Sequence, residues 1–359
     1  MYTSFEVTGL RCFSGLTLKP LARVNLVAGT NGVGKTTLLE ALFLHCGAYN
    51  PSLAFNLRAF RGHDPEMKIG VGARDETPWD SLFTYQMRSN RIVLKGTETA
   101  GTRTLVLSRV TAPAELARVP GLEKLVEEAV SVGSTQLPKV LRLEHRNGRK
   151  TIEVFLVIDT GGIKMIPLAL TAPFPAFMRR SSGAGGMPEI VERFGRLERA
   201  GQQDRLLEVL KIIEPKLRRL ATVVVFGKPI LHTDTGAGAL VPLPDAGEGL
   251  LRLADMMLSL EEAPHGVYLV DEIENGFHHS ILDGVWGAIR ESAERNDVQV
   301  FATTHSRECI AAAYRALGPS GDNGFRLHRL ELPEPDKARA VTYDAETLGA
   351  AIESGLEVR

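Results

Sequence analysis

Cysteine is scarce in this 359-residue chain: Cys12, Cys46 and Cys309 are the only three, and they lie far apart. No CxxC pair and no histidine pair at zinc-finger spacing accompanies them, which argues against a disulfide framework and a structural zinc site and suits a reducing cytosol. An excess of one charge is also lacking. Lys plus Arg number 42 and Asp plus Glu 43, a formal net charge of -1. This excludes a generally basic nucleic-acid coat and an acidic disordered tail, but leaves room for a local basic patch. No apolar run reaches the length of a membrane span, and the opening MYTSFEVTGLRCF is broken by polar residues with no cleavage-site pattern. Heptads are not sustained, so a long coiled-coil arm is not expected. No internal repeat is visible.

What is present is globular: 44% of residues are hydrophobic, enough for a sizeable core. The length suits two or three domains, or one elaborated α/β domain. Near-continuous β-branched runs at Val24–Ala28, Val267–Val270, Val298–Thr303 and Phe325–Leu330 predict parallel strands covered on both faces. The first three are each followed by a loop and a helical pattern, which is βα alternation. The middle of the chain differs. Val140–Arg146 and Arg149–Ile158 flank Asn147-Gly148, a hairpin signal. Ala114–Val132 reads as two short helices, split at Pro120-Gly121. Met187–Leu220 reads as helix broken by Gly195, Gly201 and Pro215, preceded by a Ser/Gly-rich joint at residues 181–186. Trp79–Tyr85 reads as a strand.

The strongest motif is Gly29-Thr30-Asn31-Gly32-Val33-Gly34-Lys35-Thr36, which fits G-x-x-x-x-G-K-[ST]. Successive backbone N–H groups must converge on one anion, and glycines permit the dihedrals this needs. Lys35 can reach β- and γ-phosphate oxygens, and Thr36 can place its hydroxyl on Mg²⁺. The helix that follows turns its positive end to the phosphates. By chance the four fixed positions recur in roughly one such chain per hundred, but the buried strand before the motif and the apolar helix after it are its required context.

Three further segments complete a nucleotide-site pattern. Val267–Val270 ends in Asp271 and Glu272: Asp271 suits a Mg²⁺ ion held through water, and Glu272 suits a general base that orients or deprotonates the attacking water. The plain alternative is an acidic loop after a buried strand. A second strand ends in Thr303-Thr304-His305-Ser306, where His305 can hydrogen-bond a γ-phosphate. Gly247-Glu248-Gly249 opens an apolar helix, a weak anion-holding signal that gains meaning from its place before Asp271.

This set, in this order, resembles the ABC-type ATPases, and most closely the ATPase module of the OLD (overcoming lysogenization defect) family and its stand-alone AAA-type relatives. The phrases are Asn31–Thr37, Gly247–Arg252, Val270–Gly276 and Ala302–Ser306. The resemblance spans about residues 1–90 and 221–359 and is faint between them. It implies an α/β P-loop NTPase with an ABC-ATPase-like head, a mixed β-sheet lobe and a β-plus-helical insertion. Residues 1–90 would be the N-terminal part, 91–220 the insertion, and 221–359 the part carrying signature, acidic strand and His305. The implied binding set is Asn31, Gly32, Gly34, Lys35, Thr36, Thr37, Gly247, Glu248 and Gly249. Thr36 and Asp271 would hold the metal, and Glu272 and His305 would be catalytic.

The resemblance further implies a head-to-tail homodimer, or a higher oligomer, sandwiching two ATP molecules with Mg²⁺. Each site would join the phosphate loop of one subunit to the Gly247–Gly249 signature of the other. Glu274 and Asn275 would lie in a loop communicating between the sites. Pro244-Asp245-Ala246 departs from the serine usual before such signature glycines, which predicts weaker closure. Gln86 is the candidate for the glutamine expected near the metal. The function implied is an ATP-driven dimerisation switch, cytoplasmic, controlling a separate nuclease or toxin-like effector in prokaryotic anti-phage defence. Arg179, Arg180, Arg193, Arg196, Lys216, Arg218 and Arg219 are candidate phosphate contacts, the plain alternative being a solvated helical face. One alternative function is a RecF/SMC-like ATPase that binds DNA directly. Another is a nucleotide-dependent scaffold without turnover.

Overall fold

The computed structural model describes residues 1–59, 77–83, 90–131, 137–159, 162–167, 170–180, 186–318, 324–334 and 337–359. The first part of the chain gives β1 (Tyr2–Thr8), β2 (Leu16–Leu18), β3 (Val24–Ala28), α1 (Lys35–Cys46) and α2 (Ser52–Ala59). The middle gives β4 (Arg91–Glu98), β5 (Gly101–Val110), α3 (Pro113–Leu116), α4 (Glu123–Ser131), β6 (Lys139–Asn147), β7 (Lys150–Asp159), β8 (Gly162–Ile166), β9 (Ala176–Arg179), α5 (Met187–Arg199) and α6 (Gln203–Leu210). The last part gives β10 (Arg219–Val225), β11 (Lys228–Asp234), β12 (Val241–Pro242), α7 (Glu248–Glu261), β13 (Val267–Val270), α8 (Leu282–Arg295), β14 (Gln299–Thr303), α9 (Arg307–Leu317), β15 (Phe325–Glu334), β16 (Lys337–Tyr343) and α10 (Ala345–Glu353).

The four continuous apolar runs become neighbours in one six-stranded sheet, ordered β16-β15-β3-β14-β13-β9. Its strands from β15 to β9 are parallel, and β16 returns antiparallel to β15. Successive side chains alternate between two cores, as the pleat requires. Val24, Leu26, Val300, Ala302, Tyr268 and Val270 enter a core shared with α5 to α10. Val27, Phe301, Val267 and Leu269 enter a second core, shared with α1 and an antiparallel sheet. Burial on both faces is why these strands carry no polar alternation.

The antiparallel sheet has seven strands in the order β2-β1-β4-β5-β6-β7-β8, so residues 91–166 continue the sheet opened by β1 and β2. The rest of the middle segment belongs elsewhere. β9 pairs with β13, and Ile190, Phe194, Leu206 and Leu210 of α5 and α6 enter the same core as α7. β10, β11 and β12 form a small sheet ahead of α7.

Several local expectations shift. The hairpin pairs Asn147 with Lys150, so its turn is Gly148-Arg149, one residue later than the Asn-Gly reading. Asn147 is gained by the ladder, and glycine takes the first central turn position. α5 runs unbroken through Gly195, because Ile190, Phe194 and Leu197 bury one stripe across it. Leu220 lies in β10, not in helix. Within the stretch expected as a strand from Trp79, residues Asp80–Leu82 form a 3₁₀ turn, and Gln86 lies outside the described residues. No helix among the described residues is long and apolar enough to cross a membrane.

Buried amides pin the two sheets together. Gln299 accepts from Tyr2 N (2.8 Å) and donates to Tyr2 O (2.9 Å) and Ala22 O (2.7 Å). Asn25 accepts from Ala22 N (2.8 Å) and donates to Ala22 O (2.7 Å) and Val300 O (3.3 Å). Gln299→Leu keeps the volume but strips these buried backbone groups of a partner, at a cost of about 1–3 kcal/mol. The thermal midpoint should fall by several degrees, and an unchanged midpoint would show that the amide does not tie β1 to β14.

Candidate functional site

The site grows from the C-terminal ends of three adjacent parallel strands, β3, β13 and β14. Strand ends of an open α/β sheet are where ligands gather, because the loops there diverge and helix N-termini point inward. β3 releases the loop from Gly29 to Gly34, and α1 starts at Lys35. Gly34 has φ 102° and leaves no room for a side chain: a Cβ would stand 2.6 Å from Phe13 Cζ and 2.8 Å from Cys12 Sγ. The glycine lets the loop close tightly over the Leu10–Phe13 corner. Asn31 and Gly32 are exposed, while Lys35 and Thr37 are buried in the first turn of α1.

Lys35 Nζ donates to Gly29 O (2.6 Å) and Thr30 O (3.0 Å). Burial draws its pKa below the ordinary lysine value, and the carboxylates of Asp271, Glu272 and Glu274 oppose that shift. One mobile cation is therefore held between a curl of backbone and three acidic groups.

Asp271 is the hub. It is 7% exposed, and its two oxygens are both occupied. Thr36 Oγ1 donates to Oδ2 (2.9 Å) and Thr303 Oγ1 to Oδ1 (2.5 Å). The same Thr303 hydroxyl accepts from Glu272 N (2.8 Å). The end of β13 is thus bound to α1 on one side and β14 on the other. A threonine hydroxyl beside a carboxylate oxygen is a hard-oxygen pair of the kind Mg²⁺ prefers, so these residues fit a divalent cation.

Glu272 follows in the left-handed region, with φ 47°. That conformation is costly for a non-glycine residue and persists only where the surroundings enforce it. The enforcing contacts are visible. Thr303 holds its N–H, and Arg252 Nη2 donates to Glu272 O (2.8 Å) and Asp271 O (3.2 Å). Asn275 Nδ2 donates to Glu272 Oε2 (2.7 Å). The carboxylate is about one-third exposed and faces His305, whose Nδ1 lies 3.9 Å from Oε1. Burial lowers the pKa of the Arg252 guanidinium, opposed first by Tyr268 and then by Glu248, Glu274 and Glu272.

Contacts bring Lys35, Thr36, Asp271, Glu272 and His305 together. Gly247 and Glu248 stand exposed at the start of α7. Gly249 packs against the loop after Glu272, where a Cβ would lie 2.6 Å from Gly276 O. Sequence reasoning gave no role to Thr303 or Arg252. Thr303 was visible only as a polar residue closing a buried strand, and Arg252 as a charge on an otherwise apolar helix.

The candidate phosphate-contacting arginines are largely committed to ion pairs. Arg179 and Arg193 both reach Asp255 Oδ1, at 2.9 and 3.2 Å. Arg196 pairs with Glu192 (2.6 Å) and with Glu262, and Arg219 with Asp234 (3.1 Å).

The profile of a family described as "AAA domain, putative AbiEii toxin, Type IV TA system" matches residues 127–311. A second profile, described as "AAA domain", matches residues 4–111. No curated protein matches the chain. Among solved structures, the chain is similar to an Smc head bound to the C-winged helix domain of ScpA, at 13% identity and a TM-score of 0.50 over 98% of this chain and 99% of that one. An Smc head with an extended coiled coil, bound to the C-terminal domain of ScpA derived from Pyrococcus furiosus, gives 11% identity and 0.49 over 98% of both chains. The SMC head domain from Thermotoga maritima gives 12% and 0.42 over 96% of this chain and 99% of that one. The fold is thus a mixed α/β P-loop NTPase fold of the kind seen in Smc heads.

Removing the loop's cation should remove nucleotide affinity. ATP–Mg²⁺ at a hundred times its Kd stabilises a protein by about 2.7 kcal/mol through linkage. Wild type should show the corresponding rise in Tm and Lys35→Ala should not. An equal rise in both would refute the assignment of this loop.

Proposed function

The chain belongs to the AAA-domain family whose profile covers residues 127–311, and from that premise we propose that it is an ATP-binding and ATP-hydrolysing switch that closes as a head-to-tail homodimer. The observation that carries this reading is the hydrogen-bonded set Thr36–Asp271–Thr303–Glu272, which joins the helix of the phosphate loop to a carboxylate at the end of β13, across β14 from β3. In it, Asn31, Gly32, Gly34, Thr37 and the N-terminus of α1 bind the phosphates, and Lys35 neutralises them. Thr36 and Asp271 hold Mg²⁺, which when bound draws charge from the β- and γ-oxygens. Glu272 is the general base for water, and its enforced backbone aims it before substrate arrives. His305 contacts the γ-phosphate from the end of β14.

Gly247, Glu248 and Gly249 complete the site of the partner subunit. Their exposure at a helix N-terminus suits an anion arriving from outside the chain. Arg252 and the Gly249–Gly276 contact join that helix to the loop bearing Glu272, so closure over one site is felt at the other.

The switch is read as cytoplasmic and as controlling a separate nuclease or toxin-like effector, in the manner of OLD-family and related defence ATPases. The family description supports a toxin or antitoxin setting. The likeness in fold to an Smc head favours a second reading, a RecF/SMC-like ATPase that engages DNA itself. Against it stand the ion pairs of Arg179, Arg193, Arg196 and Arg219, which take up the basic groups such binding needs. Steeply salt-dependent DNA binding by the purified protein would decide for the second reading.

Glu272→Gln keeps a group that can hold water but cannot take its proton. Hydrolysis should fall by about two to four orders of magnitude while ATP binding persists. Light scattering after size exclusion should then show an ATP-dependent dimer accumulating. Hydrolysis at the wild-type rate would exclude Glu272 as the base.

A composite site makes two dead variants complementary. Lys35→Ala breaks the phosphate loop, and Gly249→Asp sets a negative charge against the γ-phosphate and a side chain against Gly276 O. In a mixed dimer both lesions share one site and the other is intact. Mixing should restore ATPase activity that neither variant has alone. Heterodimers that form and bind one ATP without activity would favour a site completed within one chain.

A further inference from the structure

One carboxylate oxygen of Glu274 meets His305 at two points. Glu274 Oε1 accepts from His305 N at 3.0 Å, and His305 Nδ1 lies 3.4 Å from the same atom. The first is a hydrogen bond to the backbone just past the end of β14, and the second is a close approach that sets the carboxylate beside the ring. Glu274 is only 10% exposed, whereas His305 is 48% exposed. Its second oxygen, Oε2, is buried with no hydrogen-bond partner among the described residues. A buried carboxylate oxygen without a partner costs stability, so the position is not explained by stability alone. Glu274 also belongs to the acidic group around Lys35.

The geometry points to Glu274 as the positioning residue for His305. With Nδ1 on the Glu274 side, Nε2 is the ring nitrogen left for a ligand on a side chain that is half-exposed. Glu274 sits three residues after Asp271 and two after Glu272, so one short loop sets the metal-binding carboxylate, the general base and the orientation of His305. Asn275 in the same loop holds Glu272 Oε2 at 2.7 Å. Any displacement of residues 274–275 therefore reaches the base and the histidine together. The loop touches the start of α7 through Gly276 and Gly249, which gives such a displacement a source. This inference rests on the proposed hydrolytic role of His305 and adds the residue through which that role is set.

A double-mutant cycle tests it. Glu274→Ala should lower kcat by about tenfold with KM and the ATP–Mg²⁺ thermal shift retained. Glu274→Gln should recover most of the rate, since an amide oxygen still accepts from His305 N and can face the ring as the carboxylate does. Should Glu274→Ala not fold, Glu274→Asp takes its place, because it withdraws the oxygen by one methylene and should also lower kcat. Glu274→Ala combined with His305→Ala should be no slower than His305→Ala alone. Losses that multiply in the double variant would overturn the inference, since Glu274 would then act independently of the ring. A rate for Glu274→Gln as low as for Glu274→Ala would overturn it too. A wild-type rate for His305→Ala would instead remove the reading of His305 on which the inference rests.

Discussion

One buried carboxylate holds the centre of this molecule together. Asp271 stands at the end of β13 with Thr36 of α1 on one oxygen and Thr303 of β14 on the other. A carboxylate at this depth costs least where both oxygens are satisfied, and here both are. The arrangement fixes the phosphate loop, the acidic strand and the strand before His305 to one point. It also satisfies the backbone of Glu272 through the same threonine, so the left-handed turn at that residue depends on it.

Around that point the sheet layers divide their labour. The parallel sheet, buried on both faces, supplies rigid strand ends, and α1 lies between it and the antiparallel sheet. Gln299 and Asn25 tie β1 and the turn at Ala22 into this frame through buried amides. α7 is at once a core helix and the carrier of the exposed Gly247–Gly249 end. Arg252 joins these two roles, reaching from its buried face to the carbonyls of Asp271 and Glu272.

The distribution of charge separates the functional readings. Most of the basic side chains singled out by sequence are consumed in a network with Asp255, Glu262, Glu192 and Asp234. Buried pairs such as Arg193–Asp255 specify how α5 sits on α7 more than they add stability. Arg180, Lys216 and Arg218 stand outside these pairs, and Lys216, Arg218 and Arg219 are exposed.

The sequence by itself determined the phosphate loop, the acidic strand end, the strand before His305 and the parallel character of the sheet around them. Each is a local signal: glycine spacing, an unbroken β-branched run, a polar residue at its end. The middle of the chain was legible only as hairpins and helices. That β4 to β8 extend the sheet of β1, while β9 crosses to pair with β13, is set by pairing between residues some 90 positions apart, for which no local pattern exists. The roles of Thr303 and Arg252, and the contact of Glu274 with His305, were likewise hidden. A threonine at a strand end, an arginine in an apolar helix and a glutamate in an acidic loop each have an ordinary reading, and spacing distinguishes none of them. Only the tertiary structure decided their parts, because hydrogen bonds to Asp271, Glu272 and His305 depend on distances across three elements that the chain brings together from residues 252, 274 and 303.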